Sequence, residues 1–467
     1  MNYLRNAALA FWAAALPLVA CSQAPALSTF PVGATTVTVS ALATNLNTVW
    51  ELVWGPDNFI WMTERYGRIS RVDPATGQVQ ALLTLPDVTP TGESGLLGLA
   101  LHPQFATSPY VYVVYNYTGA GSLKEKLVRY TYSAAAGTLT APLVLLGGID
   151  ATTSHSGSRL LVLADGTLLM TTGDAQQQPQ AQNTASLNGK ILRLNLDGSI
   201  PASNPIANSP VYTFGHRNPQ GLVQLPDGRL YSSEHGPNND DEINKIEAGR
   251  NYGWPNVEGY CNLPAEATFC AANNVREPLT TWTPTIAPAG LAYYNHPAIP
   301  AWQGSLLLAV LKDSKLNQLT LDATGAAITS RVDFLTTFGR LRAICVSPQG
   351  KVYIGTSNRD GRGAPAATDD RILVLENRAY VATATRPAGA FAFNIFPNPA
   401  RRQATVQLPA ATAGLTVRDL AGRAVRELQP VGTATTATLD LSGLRAGTYL
   451  VQAEGAAGRA TRKLVVE

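Results

Sequence analysis

One pattern recurs along most of this chain: an apolar strand, a tight turn, then a second apolar or aromatic strand. It is visible in VWGPDNFIWM, LALHPQFATSPYVYVVY, LVLADGTLLM, VQLPDGRLYSS, TIAPAGLAYY and CVSPQGKVYIG. Equivalent turn positions fall at Pro56, Pro103, Ala164, Pro226, Pro288 and Pro348, giving successive intervals of 47, 61, 62, 62 and 60 residues. Self-similarity at that spacing predicts radially repeated β-sheets rather than stacked helices. Six turns predict six blades. No long stretch has a helical period, so the expected class is all-β.

The repeat places a propeller over residues 30–377. The Ala/Thr/Pro/Gly-rich stretch 378–391 reads as a linker, and 392–467 hold short strand-like runs that predict a small C-terminal β-sandwich. A chain of 467 residues has room for one large core and one small one. Its net charge is +3 with no block of like charge, which argues against nucleic acid or an acidic membrane surface as partner. The segments FNIFPNPARRQATVQL, DLSGLRAGTYLVQAEG and RKLVV resemble the C-terminal sorting domain of the type nine secretion system. That resemblance implies contact with secretion machinery. The competing reading is a small adhesion or carbohydrate-binding domain.

The N-terminus, residues 1–21, has the build of a signal peptide: Arg5 ahead of an apolar run, Ala7 to Ala20, too short to span a bilayer. It closes with Leu18-Val19-Ala20-Cys21, which resembles a lipobox and implies a lipid anchor at Cys21; an ordinary export signal is the alternative. Either way the chain is expected outside the cytoplasm: periplasmic, at the outer membrane or cell surface, or secreted. An exported chain can hold disulfides, and Cys261 and Cys270, flanking the loop NLPAEATF, are the expected pair, leaving Cys345 a buried thiol.

Residues that carry chemistry concentrate between Thr213 and Tyr260. His216, Arg217 and Asn218 precede one turn, and Glu234-His235-Gly236-Pro237 precede the acidic cluster Asp240, Asp241 and Glu242. Carbonyls of a Gly-Pro turn followed by carboxylates suit a hard cation such as calcium, although the spacing is not that of an EF-hand. Other patches are the Gly-rich loop around Glu93, the run Ser154-His155-Ser156-Gly157 with Asp174 downstream, and Thr285, Lys312, Arg340 and Arg342. A propeller gathers its loops at one end of a central channel, where these arginines and the lysine would face a small polyanion. His155 is the obvious general base among them.

WGPDNFIWMTERYGRISRVDPATG, GLLGLALHPQF, GKILRLNLDGSIP, GHRNPQGL, EHGPNNDDEINKI and NYGWPNVEGY occur in the order found in the soluble quinoprotein glucose and aldose sugar dehydrogenases, which this chain resembles over roughly residues 46–375. The resemblance implies a six-bladed propeller that binds pyrroloquinoline quinone (PQQ) and calcium and oxidises an aldose to a lactone, passing electrons to an external acceptor. It implies His155 as base, Arg217 beside the reacting carbonyl, and Asp174 orienting one or the other. Glu93, Asn218, Thr285, Lys312, Arg340 and Arg342 would bind the quinone. The carbonyls of Gly236 and Pro237 would hold the cofactor's calcium, and Asp241, Glu242 and Tyr252 a second, structural one. Ser154 stands where members carry an acid before the histidine, and Glu93 where they carry an amide. The insertions that shape a glucose pocket are missing, and Thr283 stands for an aromatic residue, so a shallower pocket and broad aldose use are expected. Two other classes compete: a calcium-dependent propeller lactonase, which leaves the cations without a role, and a non-catalytic glycan-binding propeller.

Overall fold

The computed structural model describes residues 24–381, 393–408, 412–419, 422–428, 435–455 and 458–467. The expected signal peptide with Cys21, and most of the expected linker, lie outside them. The chain divides into two compact units, Met1–Tyr380 and Val381–Glu467.

The first unit is a six-bladed propeller. The innermost strands of its sheets are Val49–Trp54, Leu96–Leu101, Gly157–Val162, Pro219–Gln224, Pro288–Tyr294 and Leu341–Val346, and each packs on the next until the sixth returns to the first. Five blades are antiparallel meanders of four consecutive strands. The sixth is built from both ends of the unit: Leu341–Val346, Val352–Thr356 and Ile372–Glu376 continue into Thr35–Ala43 and Ser28–Val32, with Thr38 opposite Glu376. The ring therefore has no open edge at its seam. Fully buried Trp61, Trp302, Tyr112, Tyr231 and Tyr353 pack in the hydrophobic clusters between blades.

The repeated turns have a common geometry. Asn58, Gly166, Gly228 and Gly350 all adopt left-handed φ, 61°, 79°, 91° and 77°, two residues after Pro56, Ala164, Pro226 and Pro348. In three of them the turn aspartate, Asp57, Asp165 or Asp227, accepts the backbone N–H two residues on. This is a hairpin connection that Asn, Asp and Gly favour, and it explains the sequence repeat. Pro288 is an exception to the expectation. It opens an inner strand instead of a turn, as a residue without an N–H can, preceded by Ala287 at φ 57°. The equivalent turn lies near Pro297, lengthened by the 3-10 helix Pro300–Trp302, so the true spacing is less regular there.

In all six blades the pairing of inner and second strand is bulged within the first three residues of the inner strand, for example between Gly157 and Leu160 and between Pro219 and Gly221. Bulges bend a strand and re-aim its side chains. Here they sit at one end of the ring. One helix, Pro264–Asn273, replaces the loop expected between Cys261 and Cys270, and the two cysteines are bonded. Cys345 is buried and free.

The second unit is a small β-sandwich. A three-stranded sheet (Asn394–Phe396, Gln403–Gln407, Thr436–Asp440) and a four-stranded sheet (Ala424–Leu428, Thr412–Arg418, Gly447–Gly455, Gly458–Val466) enclose a core including Phe393, Val406, Leu439, Val451 and Leu464. No helix among the described residues is long and apolar enough to cross a membrane.

Candidate active site

Antiparallel pairing brings the start of each inner strand beside the end of the second strand in its blade. Side chains at these two places meet around one pocket of about 420 Å³. Glu93, His155, Arg217, Asn218, Thr285 and Arg340 lie just before inner strands; His235, Gly236, Pro237, Lys312 and Arg362 lie just after second strands. Residues far apart in the chain converge, and the volume suits a small organic molecule.

His155 holds a left-handed backbone, φ 59°, which a non-glycine residue adopts only under constraint. Its Nδ1 is 2.8 Å from Asp174 Oδ1, and Asp174 is fully buried. The other Asp174 oxygen accepts the indole N–H of Trp254 at 2.8 Å, and its backbone N–H donates to the Arg217 carbonyl at 2.8 Å. Asp174 therefore meets both residues named for it. A Cβ on Gly173 would lie 1.8 Å from the His155 carbonyl oxygen, so glycine there lets the two loops touch. Ser154 does not reach the histidine ring; its hydroxyl accepts the Gln176 amide at 2.5 Å.

The turn carrying Arg217 and Asn218 is fixed by Glu234, at the end of the second strand of blade four. One Glu234 oxygen accepts the backbone N–H groups of Arg217 and Asn218, and the other is 2.8 Å from His216 Nδ1. His216 is fully buried, stacked on Tyr252, and so anchors the turn from behind. Arg217 lies over the Trp254 ring. Arg217 Nε, Asn218 Nδ2 and His235 Nε2 are sealed from solvent without a hydrogen-bond partner. All three belong to residues that line the pocket. Burial lowers the His235 imidazole to about 3, so it stays neutral there.

Opposite stands a cationic wall. Lys312 Nζ donates to Thr285 Oγ1 at 2.9 Å, and Arg340 Nε to Asp360 Oδ2 at 2.8 Å. Arg342 differs from expectation: it is 5% exposed and does not line the pocket. It donates to Gln220 Oε1 at 2.9 Å and Ser357 Oγ at 3.2 Å, and burial lowers its guanidinium to about 10. Arg340 precedes the inner strand Leu341–Val346 and lines the pocket, whereas Arg342 lies inside that strand, at its bulge between Leu341 and Ala343. In its place the wall has Arg362, which sequence reading passed over, 3.0 Å from Glu93. Burial raises the Glu93 carboxyl, but the Arg362 and Arg342 guanidiniums help outweigh it and hold it below its ordinary range.

The side chains expected at a second cation have hydrogen-bond partners within the protein. Asp241 accepts the backbone N–H groups of Gly236, Ile286 and Ala287. The Tyr252 hydroxyl donates to the Lys245 carbonyl, and Glu242 accepts from Asn244 and Gly259. Burial, and then the nearby Glu234, push the Glu242 carboxyl well up. Among the described residues no group of three or more His, Cys, Asp or Glu is disposed to hold a metal. Gly236 and Pro237 line the pocket.

Residues 46–372 match the family model for Glucose / Sorbosone dehydrogenase. The chain belongs to that family. It is 36% identical to quinoprotein glucose dehydrogenase B of Acinetobacter calcoaceticus over 397 residues, covering 67% of this chain and 83% of that protein. A structure of the PQQ-bound form of aldose sugar dehydrogenase from Streptomyces coelicolor is 35% identical, with a TM-score of 0.64 over 74% of this chain and 99% of that one. The apo-form of the soluble aldose sugar dehydrogenase of Escherichia coli is 29% identical, with a TM-score of 0.65 over 73% and 100%. This glucose/sorbosone dehydrogenase-family chain also carries, over residues 394–467, a match to the secretion system C-terminal sorting domain, which marks it for export.

Proposed function

We propose that this chain is a PQQ- and calcium-dependent dehydrogenase that oxidises the anomeric carbon of aldoses to lactones and delivers electrons to an external acceptor. One observation carries the reading: the paired His155, the Arg217–Asn218 turn and a cationic wall line one pocket. The donors fit a planar polyanion. Lys312, Arg340 and Thr285 would take its carboxylates, Asn218 and Arg217 its carbonyl edge, and the Gly236 and Pro237 carbonyls a calcium ion acting as Lewis acid. When bound, the quinone supplies the two-electron acceptor that no side chain offers.

The chain's own part is acid–base and positional. Asp174 accepts the Nδ1–H of His155, which fixes the neutral tautomer and leaves the Nε2 lone pair to take the proton of the anomeric hydroxyl. Arg217 holds positive charge where negative charge develops. The chain lacks the insertions of glucose-active members, which supports broad aldose use. Export by the C-terminal domain agrees with a substrate outside the cytoplasm. Purified protein should be mixed with PQQ and calcium and assayed by dye reduction against a panel of aldoses. No spectral change of the quinone and no dye reduction would overturn the proposal.

A further inference from the structure

We propose that Arg362 binds a carboxylate of the quinone and that Glu93 is the residue that positions it; this rests on the quinone reading above. Arg362 belongs to the loop that leaves the second strand of blade six. Its backbone N–H donates to Asp360 Oδ1 at 2.9 Å, while Asp360 Oδ2 takes Arg340 Nε at 2.8 Å. A single carboxylate, 8% exposed, thus sets two arginines on the same pocket wall. Arg342, expected in that role, lies below the wall with its donors on Gln220 and Ser357.

The Arg362 side chain is 65% exposed and paired with Glu93. Its guanidinium carries five N–H donors, so the pairing leaves most of them for a ligand. Glu93 reaches both ways: Oε1 pairs with Arg362 at 3.0 Å, and Oε2 accepts the backbone N–H of His155 at 3.3 Å. A carboxylate at this place opposes a polyanion, whereas the neutral amide would not. An amide removes the opposing charge, although with one acceptor oxygen in place of two it keeps only one of these two contacts. The two side chains therefore act on quinone affinity with opposite signs.

Full-length protein freed of cofactor is titrated with PQQ in the presence of calcium, without substrate, following quinone absorbance, at low and high ionic strength. Arg362→Gln should weaken binding by about three- to tenfold, a charge-assisted bond discounted for exposure, with the gap narrowing in high salt. Glu93→Gln should bind tighter than wild type. Unchanged affinity in Arg362→Gln, or weaker binding in Glu93→Gln, overturns the assignment. So does a variant Arg362→Gln that binds quinone normally but has a raised KM for uronic acids alone, which would place the carboxylate on the substrate. Wild-type protein that fails to bind PQQ would instead remove the functional reading itself.

Discussion

The imidazole of His155 and the carboxylate of Asp174 meet at 2.8 Å, and the carboxylate's far oxygen is held by the Trp254 indole at the same distance. Asp174 is thus fixed at both oxygens while fully buried, and the ring it holds has one nitrogen left for chemistry.

His155→Ala should lower kcat by about 10²–10⁴-fold, the range of a lost general base, while quinone affinity stays as in wild type. Asp174→Asn should lower kcat less, by loosening the ring it holds. An unchanged kcat would reject the pairing as functional. Steady-state kinetics, with a separate quinone titration, check both.

Glu125 gives a stability signature. Its partners are the Ser158 hydroxyl at 2.8 Å and the Asn116 amide. Burial pushes its carboxyl from 4.5 to about 8 against those hydrogen bonds. The unfolded chain ionises it near the ordinary value and the folded chain only near 8. Its contribution is therefore whole below the unfolded pKa and is lost as pH rises through the folded one. The wild-type Tm should fall from weakly acidic to weakly alkaline pH, and fall less in Glu125→Gln. Equal slopes would count against it.

Ring closure depends on Thr35–Ala43 lying against Ile372–Glu376. Deleting the chain up to Ala43 should expose that strand edge and yield aggregation or a sharply lower Tm. Ending the chain at Tyr380 should leave the first unit's Tm unchanged. Calorimetry on the two truncations distinguishes them.

The Cys261–Cys270 bond ties the approach to helix Pro264–Asn273 to the helix itself. Reduction should cost about 2–3 kcal/mol, as expected for closing so short a loop. Denaturant unfolding with and without reductant measures it.

Much of this molecule was legible in its sequence because a turn motif is local. Pro56-Asp57-Asn58 and Pro226-Asp227-Gly228 state their backbone in adjacent residues, and from them follow six blades and an all-β class. Pro288 misled because a proline suits the first position of a strand as well as a turn. The site residues before inner strands were legible through their motifs. Arg362, His235 and Trp254 were passed over because their roles arise from contacts across blades, such as Trp254 with Asp174, 80 residues apart. The signal that could have found Arg362 and His235 is positional: both follow a second strand, as Lys312 does. Arg342 is buried because it lies inside the inner strand at its bulge while Arg340 precedes that strand, a boundary that two arginines separated by one residue do not reveal.

The six bulges at one end of the ring have a consequence for how such a protein can change. Each releases the entrance to its inner strand from the pairing behind it, so the rim behaves as six separate sockets on a common frame. Five are filled by Glu93, His155, Arg217 with Asn218, Thr285 and Arg340. The entrance before Val49, at Asn47 and Thr48, adds no residue to the pocket. New substrate contacts could be grafted there without disturbing the strands or the residues that already serve.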